Sequence, residues 1–267
     1  MNEEQNNSRE QSNTLIDRHE KIIEILKQNG SVSVSSLTEK LGVSEVTIRK
    51  DLSMLEQRKK LHRTHGGAIL ASPFISDRHV SEKEKQNIDE KQAIGAAAAT
   101  HITKNDSILI ASGTTVLYFA REIEPKSHLT VVTASVNVTS VLSQLKDIDV
   151  IQLGGIVRFS SLSVVGPFAE QMLDNFNCSK LFMGVDGIDL SFGLTTTNAL
   201  EASLNKMMIN CCQRLVVLAD STKFGRRGFS KICDLEAVDE IITDDKTPAR
   251  SIQELEERGI KVTVVHP

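Results

Sequence analysis

From residue 107 onward the chain alternates two kinds of run, and this alternation restricts its fold more than any other feature. SILIA, LTVVT, DVIQLGG, KLFMGVDG, RLVVLAD, EIIT and KVTVV are short and rich in Val, Ile and Leu, and between them lie TVLYFAREI, VNVTSVLSQL, NALEASLNKMMINCC and SIQELEERG. Near-continuous apolar runs suit strands buried on both faces. Strands alternating with helical stretches predict an α/β domain with a mainly parallel sheet covered on both sides.

Ligands of such sheets bind beyond the carboxyl ends of the strands, so the residues that follow each run matter most. SILIA leads into Ser112-Gly113-Thr114-Thr115 and then a helix. Small residues, hydroxyls and the N–H groups of a helix start make a candidate phosphate cradle. It lacks the glycine–lysine spacing of a nucleotide P-loop. LTVVT leads into Ala134-Ser135, DVIQL into Gly154-Gly155, KLFMGV into Asp186 and RLVVLA into Asp220-Ser221-Thr222-Lys223. Any one of these is compatible with an ordinary turn. Together they predict a site for a small polar or phosphorylated ligand, with Asp186 and Lys223 as its charged members. Arg226, Arg227 and Lys231 read as a solvated loop.

The N-terminal part has a different texture. Ile22, Ile23, Ile25 and Leu26 predict a helix that ends at Asn29-Gly30, and Val34, Leu37 and Leu41 a second one that ends at Gly42. Ser44 then stands where an N-cap belongs. The third helix buries Ile48, Leu52 and Leu55 and leaves Val46, Arg49, Lys50 and Ser53 on its other side. Gly66-Gly67 marks a hairpin after it. This is the outline of a winged helix-turn-helix, whose third helix enters the DNA major groove.

Charge supports that outline. The 267 residues carry a formal net charge of −4, yet residues 46–65 hold six cations and two acids. A basic patch on an acidic chain suits a polyanionic partner. Ser44, Val46 and Thr47 are the candidates for base edges, with Val46 suited to a thymine methyl. Arg49 and Lys50 face the DNA, while Arg63, His65 and the rest of the wing meet phosphates. The alternative is a helical protein-interaction module with a solvated basic face.

VSEVTIRKDLSMLE followed by RTHGGA resembles the N-terminal signature of the DeoR family of bacterial transcriptional regulators. Lys59 stands where that family usually has glycine. Farther on, SGTT, LTVVTAS, GG, GVDGID with FGLTT, and ADSTKFG resemble the sensor domain of the same family, which is similar to sugar-phosphate isomerases of the ribose 5-phosphate isomerase type. The resemblance implies double-stranded operator DNA and a phosphorylated sugar as partners, and a homo-oligomer. It also implies that the SGTT loop holds the phosphate while Asp186 and Lys223 reach the sugar. Three positions depart from the family pattern: Ala111 for Asp, Ala134 for Asn, and Asn205 for Lys. An atypical ligand or weak binding is the expected consequence.

The expected organisation is a disordered tail over 1–16, a winged helix-turn-helix over 17–71, a linker over 72–88 and an effector domain over 89–267. The linker assignment rests on the many charges and weak periodicity of ASPFISDRHVSEKEKQNID. No apolar run approaches the ~20 residues of a membrane span, and the N-terminus has no signal-peptide core. Cys178, Cys211, Cys212 and Cys233 lack metal-ligand spacing, so no metal and no cofactor are expected and free thiols in a reducing cytoplasm are. The competing expectation is an isomerase or deaminase with a regulatory module. It would need a general base and acid around the sugar, and beyond Asp186 and Lys223 no His or Glu cluster completes such machinery.

Overall fold

A computed structural model describes residues 15, 17–26, 29, 31–58, 60–64, 66–70, 77–125 and 127–267. The chain divides into two compact units, Met1–Pro73 and Phe74–Pro267. Apart from Leu15, the tail expected over 1–16 lies outside the described residues, as do Gly30, Lys59 and His65.

In the first unit a helix over 17–26, α1, precedes β1 (Ser31–Ser33), α2 (Val34–Leu41), α3 (Glu45–Gln57), β2 (Leu61–Thr64) and β3 (Gly67–Leu70). The three strands form an antiparallel sheet in the order β1-β3-β2. Ile22, Leu26, Leu37, Ile48, Leu52, Leu55 and Leu61 share one core, so the expected helix, helix, turn, helix and hairpin are present. Gly67 is required by close approach: a Cβ there would lie 1.8 Å from the Val32 carbonyl oxygen, whereas one on Gly66 would meet nothing within 4 Å.

The second unit opens with α4 (Val80–Glu84) and α5 (Ile88–Ala99), followed by β4 (Ser107–Ile110), α6 (Thr114–Arg121), β5 (Leu129–Thr133), α7 (Val136–Leu142) and β6 (Ile148–Gln152). A hairpin of β7 (Ile156–Arg158) and β8 (Ser163–Val165) leads to α8 (Pro167–Leu173) and β9 (Lys180–Gly184). Then come β10 (Gly187–Asp189), β11 (Gly193–Thr196), α9 (Ala199–Asn210), β12 (Leu215–Leu218), β13 (Ser230–Cys233), β14 (Glu240–Asp244), α10 (Ala249–Glu257) and β15 (Lys261–Val265).

Seven strands make one parallel sheet in the order β15-β14-β12-β9-β4-β5-β6. These are the seven runs singled out in the sequence. Side chains alternate across the sheet: Ile108 and Ile110 join α5, α6 and α7 in one core, while Leu109 joins α8, α9 and α10 in the other. The short strands β10, β11 and β13 form a separate antiparallel sheet.

Part of the stretch expected to be a linker is built into this unit. Val80 N–H donates to the Ser160 carbonyl at 2.6 Å, and Val80 is buried. Asp77 accepts from Arg158 at 2.5 Å. Of the charges that suggested a linker, those of Asp77, Lys83 and Glu84 have partners far away in the chain.

Candidate functional site

On the first unit, α3 presents two faces. Ile48, Leu52 and Leu55 hold it to the core, and Val46 on the other side is 76% exposed. Ser44 caps the helix, accepting from Thr47 N–H at 3.3 Å, and the two hydroxyls lie 2.9 Å apart. Two of the three candidate base readers, Ser44 and Thr47, therefore also fix the helix start. Arg49 pairs with Glu45 at 3.3 Å on the exposed face, and Lys50 is exposed beside it. Arg63 N–H donates to the Glu56 carboxylate at 2.8 Å, which ties the wing to α3. A buried feature escaped the sequence reading. Asp51 is 1% exposed and accepts two hydrogen bonds from Arg18, at 2.5 and 3.0 Å, with His19 at 3.3 Å. This joins α1 to the helix that carries Arg49.

On the second unit, the chain runs from β4 outward to β5 and β6, then returns to β9 on the other side of β4 and continues to β12. Loops leaving β4 and β9 consequently part in opposite directions, which opens a crevice between them. A cavity with about 600 Å³ of empty space, partly open to solvent, occupies that place. Ser112, Gly113, Thr114 and Thr115 line it after β4, Asp186 after β9 and Lys223 after β12. Gly113 has φ 133° and supplies no side chain to cap α6, so the first turn of that helix opens on the cavity. Asp220 caps the short turn Ser221–Lys223, and its carboxylate lies 4.0 Å from the Lys223 ammonium.

Six of the nine expected effector residues thus come together. Ser135, Gly154 and Gly155 do not line the cavity. They follow β5 and β6, the outer strands beyond β4, and the Ser135 hydroxyl is engaged as the cap of α7, accepting from Val138 N–H at 3.3 Å. Of the three departures from the family pattern, Ala111 and Ala134 are buried in the core, and only Asn205 lines the cavity.

Other lining groups were not foreseen: Arg78, Lys83, Ser160, Ser161 and Glu201. Lys83 Nζ donates to Asp186 Oδ1 at 2.9 Å. Asp186 Oδ2 accepts from Thr196 Oγ1 at 3.0 Å, Thr197 N–H at 3.1 Å and Thr197 Oγ1 at 3.2 Å. Burial alone would push this carboxyl up, but Lys83, Lys223 and the Thr196 hydroxyl hold it well below the usual carboxylate range. Glu201 is matched by Arg158 at 2.7 Å. Half-buried Arg226, expected in a solvated loop, is pushed down by its burial, with Asp186 opposing that shift and Arg78 adding to it. Arg227 and Lys231 behave as expected of surface cations, paired to Asp189 and Asp234.

Residues 18–74 match the DeoR-like helix-turn-helix domain, and residues 86–245 match the DeoR C terminal sensor domain. The chain belongs to the DeoR family. It is 39% identical over 251 residues to the HTH-type transcriptional regulator YulB of Bacillus subtilis, covering 94% of this chain and 97% of that one. It is 34% identical to the HTH-type transcriptional regulator GlpR of Haloferax volcanii, over 92% of this chain and 96% of that one. To the glycerol-3-phosphate regulon repressor of Escherichia coli it is 30% identical, over 92% and 97%. These are transcriptional regulators rather than enzymes. Among solved structures, ribose 5-phosphate isomerase A of Methanocaldococcus jannaschii matches with a TM-score of 0.39 and 17% identity over 52% of this chain and 55% of that one, too distant to say anything of chemistry. Among the described residues of this DeoR-family chain, no helix is long and apolar enough to cross a membrane, and no group of His, Cys, Asp and Glu is arranged to hold a metal ion. All four cysteines are free thiols.

Proposed function

We propose that this protein is a cytoplasmic repressor of a sugar-catabolism operon, and that a phosphorylated sugar bound in the cavity of the second unit changes its affinity for operator DNA. The observation that carries this reading is the composition of the cavity. An open helix start and three hydroxyl side chains, those of Ser112, Thr114 and Thr115, stand with Lys83 and Lys223 around one carboxylate, Asp186. Helix N–H groups and ammonium groups favour a phosphate. Asp186 and Lys223 suit the hydroxyls of a sugar. The name of one relative, a glycerol-3-phosphate regulon repressor, supports a small phosphate ester as the effector class.

On the DNA side, Val46, Arg49 and Lys50 form the reading face of α3, with Ser44 and Thr47 at its start. Arg63 meets a phosphate from the wing, and His65 is assigned to the wing as well. The effector acts by favouring one arrangement of the DNA-binding units over another. A homo-oligomer is part of this reading, because paired half-sites require paired recognition helices.

Thermal melting of the full chain against phosphorylated sugars, each beside its unphosphorylated parent, tests the sensor. One phosphate ester is expected to raise the melting temperature while its parent sugar does not. A ligand at a hundredfold excess over Kd adds about 2.7 kcal/mol, which corresponds to a shift of several degrees. A broad panel without any shift would leave a DNA-binding protein whose cavity serves another ligand.

A further inference from the structure

The hairpin of β7 and β8 stands on the rim of the cavity, to which its turn supplies Ser160 and Ser161. Its two strands are placed differently. On its far side β8 is tied to the chain that leaves β5: Val164 N–H donates to the Ala134 carbonyl at 2.8 Å, and Val136 N–H to the Leu162 carbonyl at 3.0 Å. β7 is the outer strand, and among the described residues it pairs with no strand except β8. A free edge offers a row of backbone donors and acceptors to another chain, and proteins usually guard one with charged side chains.

This edge has no such guard. Residues 154–168 hold a single charged side chain, that of Arg158, and it turns inward to Glu201 at 2.7 Å and Asp77 at 2.5 Å. Ile156 and Val157 are exposed on opposite faces of β7. Ile156 reaches the start of α8, where its Cδ1 would lie 3.8 Å from a Cβ on Gly166. Phe168, two residues farther on, is 69% exposed, and Phe159 at the turn is 83% exposed. One phenylalanine can bury ~150–250 Å², so these two alone present on the order of 300 Å² of apolar surface. A standard interface takes ~800 Å² from each partner, with an apolar centre inside a polar rim. The patch has the size of such a centre, and its lack of charge suits an apolar partner rather than a nucleic acid.

We propose that β7 is the seam between two copies of this chain. The two β7 strands meet antiparallel about a two-fold axis, so that the hairpins join into one four-stranded sheet and Ile156, Val157, Phe159 and Phe168 cover their counterparts. Such a contact is self-complementary, because each copy offers the same edge and the same patch. The inference rests on the paired DNA-binding units of the reading above and names the surface that pairs them.

Sedimentation velocity of the full chain over a range of concentrations tests this, with Val157→Lys, Phe159→Gln and, as a control, Leu145→Gln. Val157→Lys sets ammonium groups against each other at the seam, and Phe159→Gln removes an apolar anchor. Each is expected to raise the dissociation constant between copies at least about thirtyfold, the scale of a central anchor. Leu145 is exposed beyond the other end of α7, and its replacement is expected to leave association unchanged. Circular dichroism of the three variants is expected to match the parent, since every replaced side chain is exposed. Hydrogen exchange over residues 155–159 is expected to slow as the parent associates and not in Val157→Lys; equal exchange in the two overturns the strand pairing. A parent that associates as tightly as both seam variants, or a control that dissociates as they do, overturns the seam and leaves the paired reading standing. A parent that stays monomeric, with operator DNA and without it, overturns both, while the melting response to a phosphate ester still judges the sensor.

Discussion

At the scale of single residues, the most consequential groups are buried charges with defined partners. Lys91 is 2% exposed, and its burial pushes the ammonium down to about 8, against an opposing pull from Asp220. Below that pH the amine is protonated in folded and unfolded chains alike. Between about 8 and 10.5 the unfolded chain still holds a proton that the folded chain has released, so stability from this group rises with pH. The gain is on the order of 2 kcal/mol after allowance for screening. Urea unfolding at a series of pH values is expected to show this rise in the parent relative to Lys91→Met. A parallel pH dependence in the two proteins would remove the assignment. Such groups were hard to find in the sequence for a physical reason. Lys83 and Asp186 are 103 positions apart, and nothing local to SEKEKQ distinguishes a cation with a buried partner from one in water.

At the scale of elements, the wing shows how one glycine in a pair can be indispensable. A methyl group at Gly67 collides with the backbone of β1, while Gly66 faces open space. Gly67→Ala is expected to disrupt the three-stranded sheet and cost several kcal/mol, with operator binding lost. Gly66→Ala is expected to change stability by less than about 1 kcal/mol. Circular dichroism melting of the two variants checks the contrast. The elements that were legible in the sequence are those whose burial produces a long pattern. All seven strands of the large sheet read as apolar runs, because helices cover both faces. The strands β7, β8, β10, β11 and β13, of three or four residues each, are too short to show a period. Ser135 and Gly154-Gly155 stand apart from the residues that line the cavity for a related reason. Local pattern shows that a strand ends, whereas the order of strands in the sheet decides which ends are neighbours.

At the scale of the whole molecule, the expectations concern salt, sequence discrimination and the coupling of two ligands. DNA binding supported by Arg63 predicts a steep loss of affinity with salt, and Arg63→Ala is expected to reduce the log–log slope by about 1. Arg49→Ala is expected to abolish discrimination between operator and random DNA. Effector and operator must also change each other's affinity by the same factor. Fluorescence anisotropy with labelled operator, with and without effector, measures one side of that equality, and effector titration on the operator complex measures the other. A factor of one on both sides would mean that effector and operator bind independently.

The fastening of residues 77–84 to the cavity bears on where this protein can be cut and rejoined. Regulators of this design invite the grafting of one sensor onto another DNA-binding module. A junction at the start of α5, where the regular helix begins, would pair Asp77 and Lys83 of one parent with Arg158 and Asp186 of the other. A junction between Pro73 and Asp77 keeps each ion pair within a single parent. The natural seam of this chain lies ahead of its charged segment, and a chimera made there inherits its sensor whole.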